Sequence, residues 1–313
     1  MNFFTPDETL NSLGKQLLIK TWDKFPQLNR NQCALTLLIY DTPVVVEKEE
    51  IIFPLEFWQH PIKGFAYRGD ELIYPASVVK LFYLVAVHQW LETGKIKLST
   101  ELNRAIADMI VDSSNDATSL VVDMLTNTTS GPELDPEAIE TWKDKRNAIN
   151  RYFQGFGWQE FNQINVNQKT WCDGYYGREK QFVGENLQHR NRLTTNAVAR
   201  LFHAIVTEMA VSVERSQQMM ALLNRDATIH IEESQEENQI RGFLGQSLPK
   251  NAKLWSKAGW TSQVRHDAAY IEIPNLPPLL LVVFTEGRNN SQNKEILPFI
   301  SQLLLESLGV EII

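Results

Sequence analysis

A lysine stands at the head of a long apolar run in this chain. After Lys80 come Leu81-Phe82-Tyr83-Leu84-Val85-Ala86-Val87, and no Asp, Glu, Lys or Arg follows until Glu92. A helix that is apolar on every side belongs in the interior, so the fold must wrap around this segment and take Lys80 in with it. The segment Tyr74-Pro75-Ala76-Ser77-Val78-Val79 leads into the run. Pro75 suits the beginning of a helix and not its middle, which predicts a helix from Ser77 to about Glu92, stopped by Gly94. Ser77 then lies in the first turn, with Lys80 three residues on along the same face. First-turn N–H groups have no helical partners and can bind developing negative charge. A lysine moved out of water loses affinity for its proton and can act as a base. Together these are the parts of a nucleophilic serine.

Around this helix the chain reads as an alternation of strands and helices. Thr5 to Phe25 is an amphipathic helix with Leu10, Leu13, Leu17, Leu18 and Trp22 on one side. Ala34 to Tyr40 is a strand, and Val44–Val46, Ile51–Phe53 and Phe65–Tyr67 are shorter strand candidates. Ser99 to Leu125 is helical, with an interruption at Asp112-Ser113-Ser114-Asn115-Asp116. A turn-rich loop covers Thr126 to Pro136, a helix covers Ala138 to Phe153, and Gly155 to Glu185 has no clear period, as functional loops often do. Thr194-Thr195 caps a helix from Asn196 to Met209, and Ser216 to Leu223 is another. After a polar connection, Arg225 to Pro249, three strands are expected at Lys253–Trp260, Ala268–Ile273 and Leu279–Phe284, and a helix at Asn293–Leu308. The strand at Leu279–Phe284 is nearly all apolar and should be central. The expectation is an α/β (α+β) chain: an antiparallel sheet covered by helices from both chain ends, with an all-helical insertion between its halves. The helical subdomain would run over about 77–225, and the sheet subdomain over about 1–76 and 226–313.

Composition narrows the function. The formal net charge is -8 at pH 7, which argues against nucleic acid as the main partner. Cys33 and Cys172 form no Cys-x-x-Cys unit, and no His/Cys cluster has zinc spacing; two free thiols are expected, with a disulfide as the alternative. No apolar run is long enough to cross a bilayer. The first ten residues lack the pattern of a secretory signal. The protein is therefore expected in the cytoplasm if Met1 is its native start, and in the periplasm if a leader has been trimmed.

Ser-x-x-Lys by itself says little, since it also occurs at Ser12/Lys15, Ser247/Lys250 and Ser291/Lys294. Two further polar motifs single out Ser77/Lys80. Ser113-Ser114-Asn115 interrupts a helical pattern with residues that compete for backbone hydrogen bonds. It is either a capped helix junction or a hydroxyl and an amide facing a cleft. Lys257-Ala258-Gly259, followed by Trp260, is the only Lys-x-Gly in the chain. It is either an edge lysine with a bulge glycine, or a strand whose small residues let a ligand approach its N–H and C=O groups.

In this order the three motifs, Ser-x-x-Lys, Ser-x-Asn and Lys-x-Gly, are those of class A β-lactamases and penicillin-binding proteins. The chain resembles the class A β-lactamase-like serine hydrolases over most of its length. Arg241-Gly242-Phe243-Leu244 and Val264-Arg265-His266-Asp267-Ala268-Ala269 add to the similarity. The resemblance implies a β-lactamase/transpeptidase-like fold and a serine hydrolase that works through an acyl-enzyme on a small-molecule amide, lactam or ester, with no cofactor and no metal. Ser77 would attack, Lys80 would take its proton, and Ser113 would pass a proton to the leaving nitrogen, helped by the positive charge of Lys257. The N–H groups of Ser77 and Trp260 would form the oxyanion hole, and Asn115 and Gly259 would line the substrate. Arg265, with His266 as its rival, would anchor a substrate carboxylate.

Three departures bear on turnover. The link from Ser77 to Ser113 is shorter than is usual in class A β-lactamases. Ala258 stands where a hydroxyl residue is usual. The loop before Thr194 carries no glutamate with an asparagine four residues on, because Glu179 is followed by Val183 and Glu185 by His189. Slow β-lactam turnover follows. A penicillin-binding acyl acceptor, or a binding protein with a degenerate site, remains the alternative.

Overall fold

The apolar strand near the C-terminus does lie at the centre. The computed structural model describes residues 3–40, 62–226 and 239–310. Among them one sheet contains β1 (Thr5–Pro6), β2 (Cys33–Ile39), β3 (Lys63–Tyr67), β4 (Asn224–Arg225), β5 (Lys253–Trp260), β6 (Val264–Glu272) and β7 (Leu279–Glu286). The spatial order is β1-β3-β2-β7-β6-β5-β4. Every ladder is antiparallel except the two-residue pairing of β1 with β3, which is parallel. The strand candidates Val44–Val46 and Ile51–Phe53 lie outside the described residues.

The helices are α1 (Glu8–Lys24), α2 (Lys80–Glu92), α3 (Thr100–Ile110), α4 (Asn115–Thr126), α5 (Pro136–Arg146), α6 (Ala148–Gln154), α7 (Gly177–Val183), α8 (Thr195–Val206), α9 (Val213–Leu223), α10 (Arg288–Gln292) and α11 (Ile296–Ser307). Their ends follow the capping residues. Asp7 accepts the Leu10 N–H at 3.0 Å, so α1 starts after Asp7 and frees Thr5-Pro6 to pair with β3. Ser99, Ser114, Thr194 and Ser212 each accept a first-turn N–H at 2.9–3.3 Å. The expected helix 138–153 is broken at Asn147, whose side-chain oxygen receives Asn150 and Asn167 amides instead. The expected last helix is one element, α11, starting three residues later than Asn293, and the short α10 precedes it. No helix of the described residues is long and apolar enough to cross a membrane.

Strand periodicity divides the interior into two cores. Along β7, Leu280, Val282 and Phe284 face the core built around α2 and α8, while Leu279, Leu281 and Val283 face the core shared with α1 and α11. Both faces are covered, which is why β7 is apolar throughout. Helix α2 is buried on all sides from Lys80 to His88. Gly14 of α1 lies against β3 so closely that a Cβ there would meet the Phe65 ring at 2.1 Å.

Strand β6 begins at Val264, four residues before the apolar pattern starts. Its hidden first half is Arg265-His266-Asp267, all buried. Three polar residues in a row break the alternation by which a strand is read, and their partners come from segments distant in sequence.

Leu281 is fully buried in the centre of the sheet. Leu281→Ala should lower unfolding free energy by about 2–5 kcal/mol, measured as a shift of the urea midpoint at unchanged slope. A loss below about 1 kcal/mol would mean that β7 is not central.

Candidate active site

The turn that carries Ser77 is not the first turn of an α-helix. Ala76 to Val79 form a 3-10 turn, and α2 begins only at Lys80, whose N–H donates to the Ser77 carbonyl. Ala76 holds φ +47, a left-handed conformation costly for a residue with a Cβ and often found at functional sites. Gly259 of β5 lies directly against this turn. A Cβ on Gly259 would stand 2.9 Å from the Ser77 nitrogen and 2.8 Å from the Pro75 oxygen. The glycine of the third motif is thus what allows strand and serine turn to touch. Ser77 itself is half-buried.

The remaining motif residues converge one helical turn deeper. The Lys80 amine donates to the Ser113 carbonyl at 2.5 Å and to Asn115 Oδ1 at 2.9 Å, and lies 3.2 Å from Ser113 Oγ. The Lys257 amine lies 2.9 Å from the same Oγ and bonds the Ala258 carbonyl at 2.8 Å. One hydroxyl therefore sits between two lysine amines, both fully buried. Ser113 reaches this place with φ +55, between α3 and α4. Burial pushes the Lys80 amine down to about 7, opposed by the nearby Cys172 thiol. Burial first, then the positive charges of Lys80 and Arg225, push the Lys257 amine well below the ordinary lysine range, against the pull of Asp267. Lys257 is thus a weaker source of positive charge than the sequence suggests.

The edge of β5 has two sides. Thr261 N–H turns back to Val264 of β6, whereas Ala258 N–H points outward to Gln239. Backbone groups alternate along a strand, so Trp260 N–H, two residues after Ala258, also points outward, next to the serine turn.

Arg265 lies apart from the motif lysines. It is paired with Trp260 across the ladder, as Gly259 is with His266, and directly opposed residues share a face. Arg265 and the Trp260 indole lie on the face opposite Lys257 and Gly259. Both donate to the Ser291 carbonyl, at 2.8 and 3.1 Å, and the guanidinium stacks near the Phe243 and Trp260 rings. Arg265 is buried, with its Nε engaged by the Ser291 carbonyl. His266 is on the cleft face, but its ring nitrogens meet the Tyr74 carbonyl at 2.9 Å and the Thr285 N–H at 3.1 Å.

The loop between α6 and α8 brings a group that the motifs do not mark. The Cys172 thiol, free and exposed, accepts from Asn115 Nδ2 at 3.0 Å. Gln239 and Arg225 were also not legible, since both fall in what reads as a polar connection. Cys33 is free and buried, and desolvation pushes its thiol up to about 12. Glu179 is fully buried and committed elsewhere. It takes a two-pronged bond from Arg146, at 2.7 and 3.1 Å, and one from Ser130 at 2.7 Å. Lys169 ties Ser130 to Asp123 beside it, at 2.7 Å to each.

A sequence model of the beta-lactamase enzyme family matches residues 100–308. No curated protein matches the sequence. Among solved structures, the chain is similar to a beta-lactamase from Sphaerobacter thermophilus, with 18% identity, 94% of this chain and 97% of the other covered, and a TM-score of 0.61. A variant of PBP-A held as an acyl-enzyme with penicillin G gives 16% identity, 97% and 98% coverage and a TM-score of 0.64. An ancestral class A beta-lactamase gives 17%, 94% and 99%, and 0.60. At these identities the likeness is one of fold.

Removing Glu179 leaves the Arg146 guanidinium buried without its main counter-charge. Glu179→Ala should cost about 3–5 kcal/mol and make the 155–194 loop open to proteolysis before the sheet unfolds. Unchanged stability and cleavage would show that the cluster does not hold the loop.

Proposed function

Because the chain belongs to the beta-lactamase enzyme family, we propose that it is a serine hydrolase acting through an acyl-enzyme on a small amide, lactam or ester, with slow release of the acyl group. The observation that carries the reading is the Ser113 hydroxyl between the amines of Lys80 and Lys257, at 3.2 and 2.9 Å.

In this mechanism the Ser77 oxygen attacks the carbonyl carbon, and its proton passes to the neutral Lys80 amine one turn away. The N–H groups of Ser77 and Trp260 receive the oxyanion, a contribution of about 3 kcal/mol per donor. When the tetrahedral adduct collapses, the leaving nitrogen or oxygen takes the Ser113 proton, and the protonated Lys80 refills that hydroxyl. The acyl group then rests on Ser77. Its release needs a water and a base. The buried Glu179 is occupied by Arg146, and the loop offers the Cys172 thiol rather than a carboxylate at Asn115. This favours slow deacylation, and it is also why an acyl acceptor of the penicillin-binding kind stands as the second reading.

Incubation with a fluorescent penicillin and a small aryl ester, followed by intact mass, separates the readings. An adduct that decays over minutes with ester turnover supports the hydrolase. An adduct that persists supports the acyl acceptor. No adduct and no turnover, or activity equal in Ser77→Ala, overturns both and leaves a binding protein.

The base has a pH signature. Lys80 works only when neutral, so acylation should rise about tenfold per pH unit below about 7 and level off above it. A rate that is flat from pH 5 to 9 would remove Lys80 from the role.

A further inference from the structure

Gln239 sits where the second and third motifs meet, and its amide can face only one way. One amide atom lies 2.9 Å from the Ile110 carbonyl and 2.9 Å from the Val111 carbonyl, at the end of α3. The other lies 2.6 Å from the Lys257 amine and 3.2 Å from the Ala258 N–H. Two carbonyls require the NH2 group, and an amine with an N–H requires the oxygen. The reverse orientation would set acceptors against acceptors and donors against donors at all four contacts. Gln239 thus joins the helix that ends just before Ser113 to the strand that carries Lys257.

This bond decides how Lys257 meets Ser113. The Lys257 amine donates to the Gln239 oxygen at 2.6 Å, to the Ala258 carbonyl at 2.8 Å and to Ser113 Oγ at 2.9 Å. The first two oxygens can only accept, so with both in place the amine is held with its remaining bond on Ser113, whose own proton points away from it.

The same amide closes an edge. Ser256 carbonyl is taken by Arg225 at 3.2 Å, Ala258 N–H by Gln239 and Ala258 carbonyl by Lys257. A chain pairing with β5 as an added strand needs those groups in succession. With them occupied, the outward groups of Trp260 are left to meet a substrate.

We propose that Gln239 is a positioning residue that aims the Lys257 amine at Ser113 and, by capping β5, restricts the site to compact acyl compounds rather than extended peptides. The inference rests on the hydrolase reading given above. The charged groups around Lys257 are Lys80 of α2, Arg225 of β4 and Asp267 of β6; a carboxylate at 239 would be the nearest of all.

The test compares wild type with Gln239→Glu and Gln239→Ala. The lysine amines are titrated by NMR in labelled protein, with Lys257→Arg to assign the resonance. Acylation is followed with an aryl acetate and with an aryl ester of an extended hexapeptide. Gln239→Glu should raise the Lys257 titration midpoint by at least one pH unit, and Gln239→Ala, which frees the amine, should lower the acylation rate constant on the aryl acetate at least tenfold. Gln239→Ala should raise the hexapeptide-to-acetate ratio of kcat/KM at least fivefold. Unmoved titration and an unchanged ratio, in variants that keep the wild-type melting temperature, overturn the proposal while leaving the hydrolase reading standing. If wild type acylates neither ester, the hydrolase reading fails and the catalytic part of this proposal fails with it.

Discussion

Two amines buried around one hydroxyl are the condition on which the rest depends. Lys80 and Lys257 have no exposed surface, and among the described residues no carboxylate bonds directly to either. Burying one such group in an apolar interior is costly. The fold meets the cost by lowering the affinity of both amines for protons and by surrounding each with oxygen acceptors: the Ser113 carbonyl, Asn115, Gln239 and the Ala258 carbonyl. The arrangement is consistent only if three segments far apart in sequence stay in register. The left-handed backbone at Ala76 and Ser113 is part of what holding them there requires.

The sheet supplies that register. Because β5 to β7 are antiparallel and paired residue against residue, the position of Gly259 fixes the positions of His266 and Phe284. His266 then reaches back to the Tyr74 carbonyl, next to the serine turn, and stacks on Phe284 with ring centroids 4.2 Å apart. The other face of the same strands carries Arg265, Asp267 and Ala258 into the second core. Asp267 accepts the Leu244 N–H at 3.0 Å, and burial pushes its carboxyl up to about 7. A polar stretch that looks like a cleft lining in the sequence is thus divided between a cleft face and a core face by strand alternation.

The loop on the far side of the cleft is held by different means. Glu179, Arg146, Lys169, Asp123 and Ser130 form a charged cluster that lies mostly in the interior, and the guanidinium of Arg146 packs 4.3 Å from the Trp142 ring. Such a cluster is no strong source of stability, but it is intolerant of losing one member. It fixes the loop while withdrawing its buried glutamate from chemistry, and it leaves Cys172 at the Asn115 amide.

Period and chemistry were legible without a structure where one residue and its near neighbours decide the outcome. The apolar run after Lys80 had to be a buried helix, β7 had to be central, and the capping residues Ser99 and Thr194 marked where helices begin. The order of the three motifs pointed to the family because each is a short local pattern. What the sequence could not decide was anything that depends on which side of a strand faces the cleft or on a partner from elsewhere. Arg265 and His266 are adjacent in the chain and fall on opposite faces. Gln239 and Cys172 are silent in the sequence and touch Lys257 and Asn115. The physical reason is the same in each case: local propensity sets the elements, whereas the placing of a polar group in the interior is set by the donors and acceptors that tertiary packing brings to it.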